Sequence, residues 1–271
     1  YSTQQHFTYG ERNNTRIYCG IIADNTYLYL GTDNGILVYN YRTDKYEQPE
    51  TDFPTDVRTM ALQGDTLWIG SLNGLYTYQL NTKKLASLDS KSNGLPHHTI
   101  YSIIRTTDNQ IYIGTYNGLC RYIEESGKFE NIPLPVNRNV SNLFVNSLLE
   151  DTSRQCIWIG MEGSLFQYTP ATGLMKPIDA FHNNSIKSLA LDGDGNLLAG
   201  TDNGLYVYQN DNGTLQHIVH DSRNIQSLTN NIIWNIFADQ EQNIWLGTDY
   251  GISLSRYNLS LIHISEPTRR S

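Results

Sequence analysis

From about residue 16 to residue 257 the chain is a succession of short apolar and polar alternations, broken every few positions by Asn, Asp, Gly and Thr. A period of two marks a half-buried strand, and the small polar residues between runs mark tight turns. No segment carries an apolar stripe at a helical period. One motif organises the runs: aromatic, hydrophobic, Gly, three variable residues, Gly, hydrophobic. It reads Tyr29-Leu-Gly-Thr-Asp-Asn-Gly35-Ile, Trp68-Ile-Gly-Ser-Leu-Asn-Gly74-Leu and Tyr112-Ile-Gly-Thr-Tyr-Asn-Gly118-Leu. It returns as Trp158-Ile-Gly-Met-Glu-Gly-Ser164-Leu, Leu198-Ala-Gly-Thr-Asp-Asn-Gly204-Leu and Trp245-Leu-Gly-Thr-Asp-Tyr-Gly251-Ile.

The first glycines of the six copies, Gly31, Gly70, Gly114, Gly160, Gly200 and Gly247, lie 39 to 47 residues apart. That is the period of a four-stranded propeller blade. Each copy divides into a first strand, a polar turn, a second strand with the aromatic and the first Gly, an Asn-Gly type hairpin, a third strand and a variable fourth. A blade buries its two faces only by stacking on neighbours, so the aromatic columns are expected to be core. The predicted fold is all-β: a propeller of four-stranded antiparallel blades, six visible, forming a ring of six or part of a seven-bladed one. The domain is expected to span 1–257, with His6-Phe-Thr-Tyr9 completing the last blade. Residues 258–271 match no repeat and read as an off-pattern, non-native tail.

Aligning the first strands exposes one column that breaks the repeat. The hydrophobic column Ile17, Val57, Ile100, Val145, Ile186 and Ile233 is followed by Tyr18, Arg58, Tyr101, Asn146, Lys187 and Trp234, and then by the small polar residues Cys19, Thr59, Ser102, Ser147, Ser188 and Asn235. First strands line the channel of a propeller, so this variable ring is the candidate ligand site. Tyr and Trp can stack on the apolar face of a sugar, while Arg, Lys and Asn bind hydroxyls or a carboxylate.

Composition narrows the chemistry. The formal charge is −8, which argues against a nucleic-acid partner. Cys19, Cys120 and Cys156 fit neither a disulfide framework nor a metal site and read as small buried hydrophobes. The seven histidines show no metal-ligand spacing. His97 and His98 lie in a loop before a strand, and adjacent residues on a strand point to opposite faces. Asp192-Gly-Asp-Gly-Asn196 begins like a calcium loop but has Asn203 where the bidentate Glu should stand, and reads as a turn. Neither a nucleophile elbow nor a phosphate-binding motif occurs. A sialidase would need an arginine cluster and a Tyr–Glu pair that the scattered arginines do not supply. No catalytic residue, cofactor or metal is expected.

The motif Trp-Ile-Gly-Thr-x-x-Gly-Leu-x-x-Tyr resembles the two-component regulator propeller repeat. Asn224-Ile-Gln-Ser-Leu-Thr-Asn-Asn-Ile-Ile-Trp234 and Asn93-Gly-Leu-Pro-His-His-Thr-Ile-Tyr-Ser102 strengthen the likeness, which covers about residues 6–257. The resemblance implies a periplasmic sensor region of a hybrid two-component histidine kinase in Bacteroidetes. There two seven-bladed propellers and an immunoglobulin-like domain usually precede a membrane helix and a kinase. It implies a non-catalytic role, sensing glycan fragments to control polysaccharide-utilisation genes. The partners expected on this basis are an oligosaccharide, the rest of a membrane-anchored sensor kinase and a second copy in a homodimer. The alternatives are a structural or secretion-associated propeller without a small ligand and, less favoured, a sialidase-like hydrolase.

Overall fold

The expected alternations fold into six four-stranded antiparallel sheets, each in simple sequence order. The computed structural model describes residues 15–23, 26–47, 49, 51–88, 93–135, 143–181, 183–209, 213–255 and 262–264. The fold is that of a β-propeller with six blades. Strand one of the successive blades is Ile17–Ile22, Val57–Gln63, Ile100–Arg105, Val145–Asp151, Ile186–Leu191 and Ile233–Ala238. Strand two is Tyr27–Thr32, Thr66–Ser71, Ile111–Thr115, Cys156–Met161, Leu197–Thr201 and Ile244–Thr248. Blade 6 takes its fourth strand, Ile262–Ile264, from the stretch that matches no repeat. The segment His6-Phe-Thr-Tyr9 lies outside the described residues.

Two compact units divide the chain, residues 1–115 with 120–132 and residues 116–119 with 133–271. Blades 1 to 3 belong to the first, apart from the short stretch 116–119, and blades 4 to 6 to the second.

The motif's residues each have a physical task. The second glycine takes a backbone angle closed to other residues, with φ between +107° and +155° at Gly35, Gly74, Gly118, Gly204 and Gly251. In blade 4 the second-glycine position is Ser164, and Gly163 adopts the positive φ (84°) instead. The hydroxyl after the first glycine closes the turn: Thr32 Oγ1 donates to the Gly35 carbonyl (2.9 Å) and accepts from the Asn34 amide (3.0 Å). Ser71, Thr201 and Thr248 repeat both bonds.

The first glycine is a socket. A Cβ at Gly70 would stand 2.6 Å from Ile100 Cγ2 of blade 3 and 2.6 Å from Thr59 Cγ2 of its own blade. Val57 fills the same space at Gly31, Ile186 at Gly160 and Ile233 at Gly200. These plugs have no exposed surface. Beside them the strand-two side chains Tyr29, Trp68, Trp158 and Leu198 are buried in clusters shared with the following blade. The 3₁₀ turn Asp179–Phe181 adds Phe181 to the cluster between blades 4 and 5. Cys120 and Cys156 are buried and Cys19 is half-buried beside Gly31, where burial pushes its thiol up to about 12.

Where strand two carries Trp, the end of strand one supplies an acceptor for the indole N–H. Trp68 donates to Gln63 (3.1 Å), Trp158 to Asp151 (3.1 Å) and Trp245 to Asp239 (2.9 Å). Asp151 is fully buried and also accepts from Arg154 Nη1 at 2.6 Å and Ser153 Oγ at 2.6 Å. Burial alone would raise its pKa, but the bonds from Ser153, Arg154 and Trp158 hold it below the ordinary carboxylate value.

Gly70→Ala is expected to destabilise the protein by about 2 kcal/mol through overpacking against Ile100 and Thr59, read from urea denaturation midpoints. The lowered Asp151 pKa contributes stability that is complete above the unfolded-state value and is lost as pH falls through the folded value. Urea midpoints of the natural protein should therefore drop at acid pH, and Asp151→Asn should flatten part of that drop. Asp151→Ala should cost about 3 kcal/mol at neutral pH by breaking a buried pair.

Candidate functional site

All six candidate residues occupy one structural position. In every blade the pairing of strands one and two slips between the hydrophobic residue and the small residue that flank the variable column. In blade 2, Val57 pairs with Ser71 and Thr59 with Gly70, leaving Arg58 without a partner in the ladder. Tyr18, Tyr101, Asn146, Lys187 and Trp234 are skipped in the same way. Each is the extra residue of a β-bulge, a device that bends the strand and re-aims a side chain.

Packing explains why the bulge is needed. Val57 points at Gly31 of the preceding blade, while Thr59 points with Ile100 into the space over Gly70. Residues two apart on a regular strand share a face. Here they must face opposite neighbours, and the inserted residue makes this possible. That residue packs as neither plug nor socket wall. Five of the six are half-buried and Trp234 is 56% exposed.

Within each unit the structure brings two candidates together across consecutive blades. The Arg58 guanidinium lies 3.8 Å from the centroid of the Tyr18 ring in the first unit. In the second, Lys187 Nζ lies 4.6 Å from the Trp234 ring. Both are cation–π pairs, worth about 0.5–1 kcal/mol at partly exposed sites. Tyr101 and Asn146 hold the same bulge position in blades 3 and 4, half-buried.

Sequence reasoning missed two acidic partners. Trp234 Nε1 donates to Asp249 Oδ1 at 2.5 Å, fixing the indole from the turn of its own blade. Arg58 faces Asp56 at 3.5 Å, and its Nε, shielded from solvent, has no hydrogen-bond partner among the described residues. Asp249 stands within the repeated turn, so its place in the motif was visible, but the reach of Trp234 to it was not. The arrangement offers an aromatic ring with one face occupied by a cation, and polar groups beside it.

The other candidates resolve as structural. The Asp192 carboxylate accepts from the amides of Asp194 (3.0 Å) and Asn196 (2.8 Å), so it serves its own turn. Among the described residues no cluster of three or more His, Cys, Asp and Glu could hold a metal ion. The expectation for His97 and His98 is corrected: the rings stack, with centroids 4.4 Å apart. They lie in the loop before the strand, as expected, where the period-two rule does not apply and the Thr99 amide donates to His97 Nδ1 at 3.0 Å. Burial, and then His98, hold the His97 pKa below its ordinary value. At the far end of strand one, Gln63, Asn109, Gln110, Arg121 and Tyr122 line a cleft of about 250 Å³. Gln63 there donates to the Asn109 carbonyl of blade 3 and accepts from Trp68 of its own blade, and Arg121 bonds Glu130, so these groups hold blades 2 and 3 together and in shape.

A family profile of the two component regulator propeller matches residues 94–117 and 227–250, the turn before strand one through the first glycine motif of blades 3 and 6. Two of the six repeats thus match the two-component regulator propeller. It is similar to the extracellular domain of the putative hybrid two component system BT4673 from B. thetaiotaomicron, also described as a putative one component system. The identity is 81% over 96% of this chain, with a TM-score of 0.91. It is 28% identical to Histidine kinase P4 of Formosa agariphila over 88% of its length. The extracellular domain of the putative hybrid two component system BT3049 from B. thetaiotaomicron, 21% identical over 92% of this chain with a TM-score of 0.75, shares the fold. The chain spans 35% of the BT4673 domain and 18% of the Formosa kinase. Among the described residues no helix is long and apolar enough to cross a membrane.

If the cation–ring contacts are energetic couplings, a double-mutant cycle will register them. Arg58→Ala and Tyr18→Leu, singly and together, are expected to show a coupling of about 0.5–1 kcal/mol in urea denaturation.

Proposed function

We propose that this propeller is the ligand-sensing part of a hybrid two-component regulator and that it reads a glycan fragment on the bulge column. The chain itself does no chemistry. It lies in the periplasm, and a kinase outside these residues turns occupancy into control of polysaccharide-utilisation genes. The carrying observation is that the first-strand column of Tyr18, Arg58, Tyr101, Asn146, Lys187 and Trp234, whose chemistry changes from blade to blade, sits on a bulge in all six. Bulges recur next to functional sites because they present side chains freed from the sheet. Support for the regulatory setting comes from the 81% identity to the extracellular domain of a putative hybrid two component system.

Binding would act by preferring one of two conformations of the larger sensor, and its effect is limited to the difference in affinity between them. Trp234, held by Asp249 and flanked by Lys187, is the natural stacking platform.

Calorimetry across a panel of plant, algal and host oligosaccharides is the test. One class of oligosaccharide is expected to bind, and Trp234→Ala should weaken it about tenfold through loss of ring stacking. Silence across the panel would overturn direct binding and favour a propeller without a small ligand. Hydrolysis of a sialoside would favour the enzyme.

A further inference from the structure

The fourth strand of each blade pairs with the third on one side and, among the described residues, with no strand on the other. Such an edge turns alternate N–H and C=O groups away from the sheet, where an extended segment of another chain can bond them. Natural sheets blunt their edges with lysine, proline or brevity. Blades 1 to 4 do so. Their fourth strands are Lys45–Glu47, Lys84–Leu88, Lys128–Ile132 and Leu174–Pro177, and Lys45, Lys84, Lys128 and Lys176 are all exposed. Blade 6 has no lysine in Ile262–Ile264, but that strand is three residues long. Blade 5 uses none of these devices. Its fourth strand, Thr214-Leu-Gln-His-Ile218, runs for five residues without Lys, Arg, Asp, Glu or Pro.

The same strand is firmly held. It pairs with Gly204–Gln209 without a register shift, from Leu205 and Ile218 to Gln209 and Thr214. The His217 ring stacks on Tyr206, with centroids 4.1 Å apart, and its Nε2 donates to the Asn203 carbonyl at 2.6 Å. Leu215 packs on the cluster shared with blade 4 and Ile218 on the one shared with blade 6. These side chains are committed to the two faces of the blade, so the edge has its main chain and the exposed Gln216 to offer. We infer that this edge is where two copies of the chain join, strand to strand, in an antiparallel pair centred on Gln216. That dyad sets Thr214 opposite Ile218, Leu215 opposite His217 and Gln216 opposite itself. No like charges meet, and the two Gln216 amides can exchange hydrogen bonds. A dyad at the middle of the blade 3 edge would set Glu130 against Glu130, and Pro177 removes a donor from the edge of blade 4. Pairing blade 5 with a lysine-bearing edge would press that lysine into the new sheet. The blade 5 strand therefore suits its own copy best, and two four-stranded blades become one sheet of eight. The inference is independent of what the propeller senses.

Sedimentation and disulfide trapping test it in the 271-residue chain. A reversible dimer is expected in the micromolar range. Gln216→Lys supplies the missing guard and should weaken association at least about tenfold, while Ser87→Lys on the exposed edge of blade 2 should leave it unchanged. Gln216→Cys should form an intermolecular disulfide under mild oxidation, because residues directly opposite across strands hold their Cβ atoms about 5 Å apart. Thr214→Cys faces Ile218 of the other copy and should cross-link at least about tenfold more slowly. The parent chain, with Cys19, Cys120 and Cys156, is the background for both. A monomer at every concentration up to about 0.1 mM overturns the proposal. So does a dimer indifferent to Gln216→Lys, or equal trapping at the two cysteines, since either would put the interface elsewhere.

Discussion

The architecture rests on one steric contact: a β-branched side chain from one blade seated over a glycine of the blade before it. With Cβ separations of 2.6 to 2.7 Å at Gly31, Gly70, Gly160 and Gly200, no larger residue fits unless the plug or its surroundings shift. The contact sets how closely consecutive sheets approach, and so lets the strand-two aromatics bury between them. It also sets the local geometry of strand one. The plug must face backward and the small residue two positions on must face forward, which a regular strand forbids. The bulge resolves the conflict, and its inserted residue is the one the contact leaves unconstrained.

That origin changes how the variable column is understood. Variation alone does not mark a site, because a residue that packs against neither neighbour is free to vary. What distinguishes Tyr18, Arg58, Lys187 and Trp234 is that they are not left loose. Arg58 lies on Tyr18, and Lys187 on Trp234, while Asp56 and Asp249 hold the far ends. Rings and cations fixed on rigid strands lose less freedom on meeting a ligand than flexible loop side chains would. These four side chains are therefore pre-organised within each unit, which is the property that the proposed recognition would draw on.

Much of this was legible in the residues. The glycine spacing gave the blades, the Asn-Gly turns gave the hairpins, and the aromatic column gave the core. The candidate column was found by alignment of the first strands, before its bulge was known. The bulge itself was hidden, because Val57-Arg58-Thr59 reads as ordinary alternation. Its cause lies in Gly31 and Ile100, residues far off in the chain. The stacking of His97 on His98 was misjudged for a simpler reason: the period-two rule was carried past the start of the strand into a loop that does not obey it.

The indole acceptors show how far local sequence can carry such an argument. A Trp in strand two brings its N–H into a core where an unmet donor is costly. Blades 2, 4 and 6 carry Trp, and strand one ends or is followed at that level by Gln63, Asp151 and Asp239. Blade 5 has Leu198 instead, and its Asp192 satisfies only the amides and side chain of its own turn. The two positions pair across strands one and two of a single blade, only five to seven residues apart. Pairings within a blade can therefore be read from one repeat at a time. Pairings between blades, which fix the glycine sockets and the bulge column, need the neighbouring repeat as well.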